Sequence, residues 1–310
     1  MILMGYYGHK NAGDEAILSV IAERLTARYG KNSLCVLSSD PGETEISHAV
    51  RSINNYIPTG VLNHWRKSIG RNRVQYARTL EILASADVAI VGGGGLFFDK
   101  EETNSHLVDL LRRIVWLRKR VQKVIVFGVG LGPLFQKTSR SKIKQVLNEV
   151  DSIFVRDNAS HELLNKLAID RPRVYLHEDV VYLLSRPPEG EIDRIQVREE
   201  ISVDRNTVGV ALCGHHAKNT AYVEKILALC NHITQVKHVK LLFIPMATGY
   251  EDDRDGINYL RERIRGDVQF LNGNYSPRIK LGIISRLNCM IGERLHSVVM
   301  AAMSGVPVFG

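Results

Sequence analysis

The sequence predicts an α/β protein made of two Rossmann-like domains with a cleft between them. Three observations carry this. At 310 residues the chain is too long for one ordinary core and suits two domains of roughly 150 residues. Short apolar runs alternate with helix-spaced segments, the pattern of parallel sheets covered by helices on both faces. The clearest composition break, Ser185-Arg186-Pro187-Pro188-Glu189-Gly190, reads as a linker and gives domains 1–185 and 186–310.

In order, residues 2–7 are expected as a strand and 8–15 (G-H-K-N-A-G-D-E) as a glycine-bearing loop. Ile17, Leu18, Ile21 and Leu25 have helical spacing, so 16–28 is a helix that Asp14 is placed to cap and Gly30 to end. This opening lacks G-x-G-x-x-G, so a dinucleotide is not indicated. Residues 34–37 form a strand ended by S-S-D-P-G. The stretch 56–73 is basic (Arg66, Lys67, Arg71, Arg73) and weakly periodic, suited to an acidic acceptor or to plain solvation. Residues 74–84 are helical, and 88–91 form a buried strand leading to Gly92-Gly93-Gly94-Gly95-Leu96-Phe97-Phe98-Asp99. Four consecutive glycines cost backbone entropy unless something approaches closely, and a phosphate, carboxylate or sugar on that loop would supply the reason.

Helix 107–117 and strand 124–127 follow, the strand ending in G-V-G-L-G-P. Then come helix 139–147, strand 152–155 running into Arg156-Asp157, helix 160–167, and strand 174–176 before His177-Glu178-Asp179. After the charged stretch 191–200 a second series begins. Strand 207–213 ends in Gly214-His215-His216; helix 222–230, strand 239–244, strand 267–271 and helix 277–286 follow. The last strand, 289–291, is separated from a small-residue helix, 297–304, by Gly292-Glu293-Arg294-Leu295-His296.

A formal net charge of +8 favours anionic partners. The chain has neither a block of like charge nor a basic ribbon interleaved with aromatics, so a phosphorylated or lipid-linked substrate is expected and nucleic acid is not. No apolar run approaches the roughly 20 residues a bilayer span needs. The N-terminus has no basic n-region, and Cys35, Cys213, Cys230 and Cys289 show no C-x-x-C pairing. A cytoplasmic chain with reduced thiols is expected.

The turn 292–296 lies at the carboxyl edge of a parallel strand, where ligands collect and helix N-termini offer N–H groups to anions. Arg294 and His296 can share one anionic ligand there, or simply cap and solvate a helix start; the residues leave both readings open. His215 and His216 with Glu251, Asp252 and Asp253 are set aside as a metal site, because adjacent residues at a strand end point apart. A metal is therefore not expected there. His177 and Glu178 read as a strand-end polar pair before an acid/base pair. Asp14 with Asp99 could imitate a glycosidase, but substrate hydroxyl binding or helix capping fits their glycine-rich loops better.

The motifs G-Y-Y-G-H-K-N-A-G-D-E-A-I-L, S-S-D-P (38–41), G-G-G-G-L-F-F-D, G-V-G-L-G-P, V-R-D with Ser160, and G-E-R-L-H-S…G-V-P occur in this order. In order and rough spacing the chain resembles the polysaccharide pyruvyltransferases, particularly the bacterial enzymes acting on secondary cell-wall polysaccharide. The resemblance implies a GT-B-like fold with the site in the inter-domain cleft. It also implies transfer of a pyruvyl group from phosphoenolpyruvate, as co-substrate, onto two hydroxyls of one sugar to form a cyclic ketal, a reaction for which no cofactor and no obligatory metal are expected. The acceptor implied is an N-acetylmannosamine-containing, lipid-diphosphate-linked glycan, compatible with peripheral contact at the cytoplasmic membrane face. Related chains continue past the G-V-P motif, so further residues finishing the second domain are implied.

By the same resemblance Arg294, Leu295 and His296 match the family's R-L-H donor motif and Arg156 its R-D arginine. The expected catalytic set is His296, Arg294 and Arg156, with Leu295, Gly292, Glu293 and Ser297 around the donor. Asn11, Asp14, Gly93, Gly94, Gly95, Asp99 and His215 are expected around the acceptor. A donor with a carboxylate and a phosphate suits two guanidinium forks, and the His296 imidazole is the candidate general acid/base. Two other readings stand beside this one: a GT-B glycosyltransferase using a nucleotide-activated sugar, and a non-catalytic glycan-binding scaffold.

Overall fold

The structure, a computed structural model, describes residues 1–58, 70 and 73–310. Most of the basic stretch 56–73 lies outside the described residues. The chain folds as two units, Met1–Gly8 with Ile17–Val180, and His9–Ala16 with Val181–Gly310.

The first unit is built on a parallel sheet of β1 (Ile2–Met4), β2 (Cys35–Ser38), β3 (Arg51–Asn54), β4 (Val88–Phe97), β5 (Lys123–Leu131), β6 (Ser152–Val155) and β7 (Arg173–Leu176). Their order is β3-β2-β1-β4-β5-β6-β7. Helices α1 (Ala12–Tyr29), α2 (Pro41–His48), α3 (Arg73–Ala84), α4 (Ser105–Arg118), α5 (Lys137–Leu147) and α6 (Asn158–Lys166) connect them. In α4, Leu107, Leu110, Leu111, Ile114 and Leu117 form one buried stripe against the sheet residues Val91, Val124 and Val126. The Asp40-Pro41 pair, expected only to end a strand, starts α2 instead: Asp40 caps it by accepting from Glu43 N–H, and Pro41 sits in its first turn.

The glycine stretches differ most from expectation. They continue β4 and β5 as strand rather than forming loops after them. The reason is close packing, within the sheet at Gly92 and against α1 at Gly93. A Cβ on Gly92 would stand 1.9 Å from the Phe127 carbonyl oxygen, and one on Gly93 2.6 Å from Ile17. Gly93 and Gly94 take φ of +85° and +79°, next to a register shift in the β4–β5 pairing. The strand order reverses between β1 and β4, and there the buried Tyr7 hydroxyl donates to the Gly92 carbonyl at 2.6 Å.

The second unit has a parallel sheet of β8 (Thr207–Ala211), β9 (Lys240–Phe243), β10 (Val268–Phe270), β11 (Cys289–Gly292) and β12 (Val308–Phe309), ordered β10-β9-β8-β11-β12. Its helices are α7 (Glu189–Glu199), α8 (Thr220–Val236), α9 (Arg254–Arg261), α10 (Pro277–Ile284) and α11 (Leu295–Met303). The charged stretch after the linker is α7, anchored by Ile192 and Ile195; two buried positions are too few to show a helical period in sequence.

Residues 9–16, which the sequence reading assigns to the first domain, are held by the second unit. Asn11 and Ala247 form an antiparallel bridge, Ala12 N–H donates to Met246 O at 2.7 Å, and Thr248 N–H to Lys10 O at 3.1 Å. The helix α1 accordingly begins at Ala12, inside the expected loop. Asn11 caps it, its Oδ1 accepting from Gly13 N–H at 3.0 Å, while Asp14 lies in the first turn.

Candidate functional site

In the second sheet the strand order reverses between β8 and β11, the position where open α/β sheets hold ligands. The register sets Gly292 opposite Ala211, and Glu293 N–H donates to Ala211 O at 2.9 Å. The two strands therefore release Cys213-Gly214 and Glu293-Arg294 side by side at the carboxyl edge. The helix α11 begins at Leu295, so Arg294 stands at its N-cap position and His296 lies in its first turn, not on a free turn before it. Ser297 is fully buried and its hydroxyl donates back to Arg294 O at 2.7 Å. That hydroxyl closes the turn, and Gly292 must be glycine because a Cβ would meet Ser297 Oγ at 2.2 Å.

Arg294 is fixed by carboxylates. Its Nη2 donates to Asp253 Oδ1 at 2.7 Å and its Nη1 to Glu251 Oε2 at 3.2 Å, with the side chain only 15% exposed. Burial pulls the guanidinium pKa down, but the hydrogen bond and charge of Asp253 outweigh it and raise it further above its ordinary value. Asp253 itself has no exposed surface. Besides Arg294 it accepts from Gly214 N–H at 3.1 Å, Met246 N–H at 3.1 Å and Ala247 N–H at 2.8 Å. One carboxylate thus ties together the end of β8, the loop after β9 and the start of α11. The same loop after β9 holds residues 10–12.

His296 meets that segment. A Cβ on Gly13 would lie 2.0 Å from His296 Nδ1, so the imidazole rests on the bare backbone at the start of α1. Leu295, at the first helical position, is half exposed.

His215 and His216 lie in a short 3-10 turn, Gly214–Lys218, rather than at a strand end. Their rings do not point apart; they meet edge-on at 4.1 Å between centroids. Burial, then repulsion from His216 and Arg294, lowers the His215 pKa. The carboxylates that the sequence reading weighed with these histidines, Glu251 to Asp253, are occupied by Arg294 and Arg254. A different trio comes together: Cys213, His216 and Glu293 place ligand atoms within 4.8 Å of one another.

In the first unit, Arg156 donates from Nη1 to the buried Asp179 at 2.9 Å. Its guanidinium lies over Gly130, where a Cβ would stand 3.1 Å from Nε and Nη2. Asp99 is 3% exposed and accepts from Phe135 N–H at 2.6 Å and Gln136 N–H at 3.2 Å, which fixes the approach to α5. Burial would raise its pKa, but hydrogen bonds from Ser139, Phe135 and Gln136 hold it below the usual carboxylate range. Those bonds tie Asp99 to the segment that leads into α5. Of the glycines expected at an acceptor, Gly95 alone is exposed, with nothing within 4 Å of a Cβ. His177 stacks on Phe154 at 5.6 Å in a column with Phe127 and Tyr175, so it belongs to an aromatic contact rather than an acid/base pair with Glu178.

Asp253, weighed above only as a metal ligand, and Gly13 join this site through contacts that the sequence does not display. The signals were present as an acidic triplet and a glycine in A-G-D-E, but neither shows its partner locally.

The profile of the family described as Polysaccharide pyruvyl transferase matches residues 11–310. No curated protein matches the chain in sequence. Among solved structures it is similar to UDP-GlcNAc 2-epimerase from Methanocaldococcus jannaschii, with TM-score 0.60 and 10% identity over 99% of this chain and 82% of that one. It is similar to Anabaena Alr3699/HepE in complex with UDP and glucose, with TM-score 0.57 and 14% identity over 99% and 79%. It is also similar to the ADP-heptose LPS heptosyltransferase II of E. coli, with TM-score 0.50 and 12% identity over 99% and 83%. At these identities the likeness concerns the fold, which is of the GT-B type with two Rossmann-like domains.

Proposed function

The chain belongs to the polysaccharide pyruvyl transferase family, and from that premise we propose that it moves the pyruvyl group of phosphoenolpyruvate onto two hydroxyls of one sugar. The acceptor we assign is a lipid-diphosphate-linked precursor of a cell-wall or extracellular polysaccharide containing N-acetylmannosamine. The enzyme would meet it in the cytoplasm, at the inner membrane face. No redox step is involved. One hydroxyl oxygen bonds to the enol carbon while the methylene carbon takes a proton and becomes methyl; the carbon–phosphate oxygen bond then breaks and the second hydroxyl oxygen closes the ketal. The two hydroxyl protons balance the methyl group and the released hydrogen phosphate.

We assign proton movement to His296, and donor binding to Arg294 and, in the first unit, Arg156. What supports this most is the meeting of two distant motifs: the A-G-D-E segment supplies the bare backbone of Gly13 against the His296 imidazole. Two residues before His296, Arg294 is clamped in place by Asp253. A preset arginine beside an imidazole at a helix start suits an anionic donor that must be held while a proton moves. Incubation with phosphoenolpyruvate and a lipid-linked or synthetic glycan should release inorganic phosphate. Release of a nucleoside diphosphate from a nucleotide sugar would instead establish the glycosyltransferase reading, and no turnover with either donor the scaffold reading.

A further inference from the structure

We propose that Cys213, His216 and Glu293 form a binding site for one divalent metal ion of the zinc class. Cys213 Sγ, an imidazole nitrogen of His216 and a carboxylate oxygen of Glu293 lie within 4.8 Å of one another. Around a tetrahedral zinc with bonds of about 2.0–2.3 Å, ligand atoms stand roughly 3.3–3.8 Å apart. His216 Nδ1 and Glu293 Oε1, at 3.5 Å, already have that separation. Closing the remaining sides takes a shift of about 1 Å, within ordinary side-chain motion for the exposed His216.

The local backbone explains why these donors meet. His216 N–H donates to Cys213 O at 3.0 Å, the first bond of the 3-10 turn, and residues three apart in such a turn stack on one side. Glu293 arrives from β11, which pairs with β8. Its second oxygen, Oε2, accepts from Cys213 N–H at 2.7 Å and so orients the carboxylate. The His216 ring is held between His215 at 4.1 Å and Tyr222 at 5.3 Å. Ligands oriented by such outer contacts are characteristic of metal centres.

A thiolate, an imidazole and a carboxylate suit zinc rather than magnesium or calcium, and three protein ligands leave a fourth position open. The neighbouring charge gives that position a use. Arg294 stands against Glu251 and Asp253, with Glu293 next to it in sequence, so carboxylates outnumber the guanidinium here. A divalent ion would offset most of that negative charge and present its open position to an anion. This last point rests on the proposed anionic donor; the site itself does not.

The test is a metal titration of the full chain after chelator treatment. One equivalent of cobalt(II) should produce the thiolate-to-cobalt charge-transfer absorption, and Cys213→Ser should remove it. Zinc affinity should fall at least tenfold in His216→Ala and in Glu293→Gln, and stay unchanged in Cys230→Ser, whose thiol is buried in α8. Absence of the band in the wild-type chain, or its persistence in Cys213→Ser, would overturn the proposal. Phosphate release is read separately, so the metal site and the reaction can fail independently.

Discussion

Arg294 and His296 sit two residues apart, yet the structure gives them different neighbours. Arg294 is a buried ion-pair member whose position depends on Asp253, and His296 is a half-buried ring resting on glycine backbone. His296→Ala should lower phosphate release by about 10²- to 10⁴-fold, the range for loss of a general acid or base, with an unchanged circular dichroism spectrum. Near-normal turnover would remove His296 from the chemistry. Arg294→Lys keeps the charge but loses the fork that engages Asp253 and Glu251 together, so the donor KM should rise while the fold survives. Asp253→Ala would strand a buried guanidinium and three backbone N–H groups, at a cost of about 3–5 kcal/mol read from denaturant midpoints. Residue types at this site were readable in sequence. The pairing of Arg294 with Asp253, 41 positions away, was not, because nothing local to either residue records it.

At the scale of elements, strands 152–155 and 289–291 and helix 74–84 were legible to within a residue or so, since a buried strand or an amphipathic helix imposes its period on the chain. Glycines carried the ambiguity. A glycine needed by a ligand and one needed by a neighbouring strand look alike in sequence. Gly92→Ala must displace the Phe127 carbonyl and should unfold the first unit at markedly lower denaturant, whereas Gly95→Ala should be tolerated within about 1 kcal/mol. Gly13→Ala drives a methyl group into the His296 ring and should cut turnover far more than it cuts stability. Equal losses in both would mean that the contact serves folding alone.

Across the molecule, the buried titrating groups set opposing slopes of stability with pH. Lys280 in α10 is 1% exposed, its ammonium donating to Pro245 O, and burial, offset in part by Asp253 and Asp252 and reinforced by Arg254, pushes its pKa down to about 8. Between pH 8 and the ordinary lysine range the unfolded chain binds more protons than the folded one, so this group makes stability rise with pH. Burial pushes Cys35 up to about 11 and Cys230 to about 12, so above pH 9 the unfolded thiols lose protons first and stability falls. The Lys280 contribution should add about 1 kcal/mol from pH 8 to 9, read as the difference in denaturant unfolding between the wild-type chain and Lys280→Met, while the thiols offset it in the total and bring a net decline beyond pH 9. The sequence by itself determined the two α/β series, the family and the motif residues, because periodicity and ordered motifs are written along the chain. Tertiary structure alone decided that residues 9–16 belong with the second unit, that Gly92 and Gly93 are closely packed against strand and helix, and that Asp253 anchors Arg294. It also joined Cys213 to Glu293 across 80 residues of sequence. Those outcomes depend on backbone hydrogen bonds and close approaches between distant segments, which leave no periodic trace in the residues that make them.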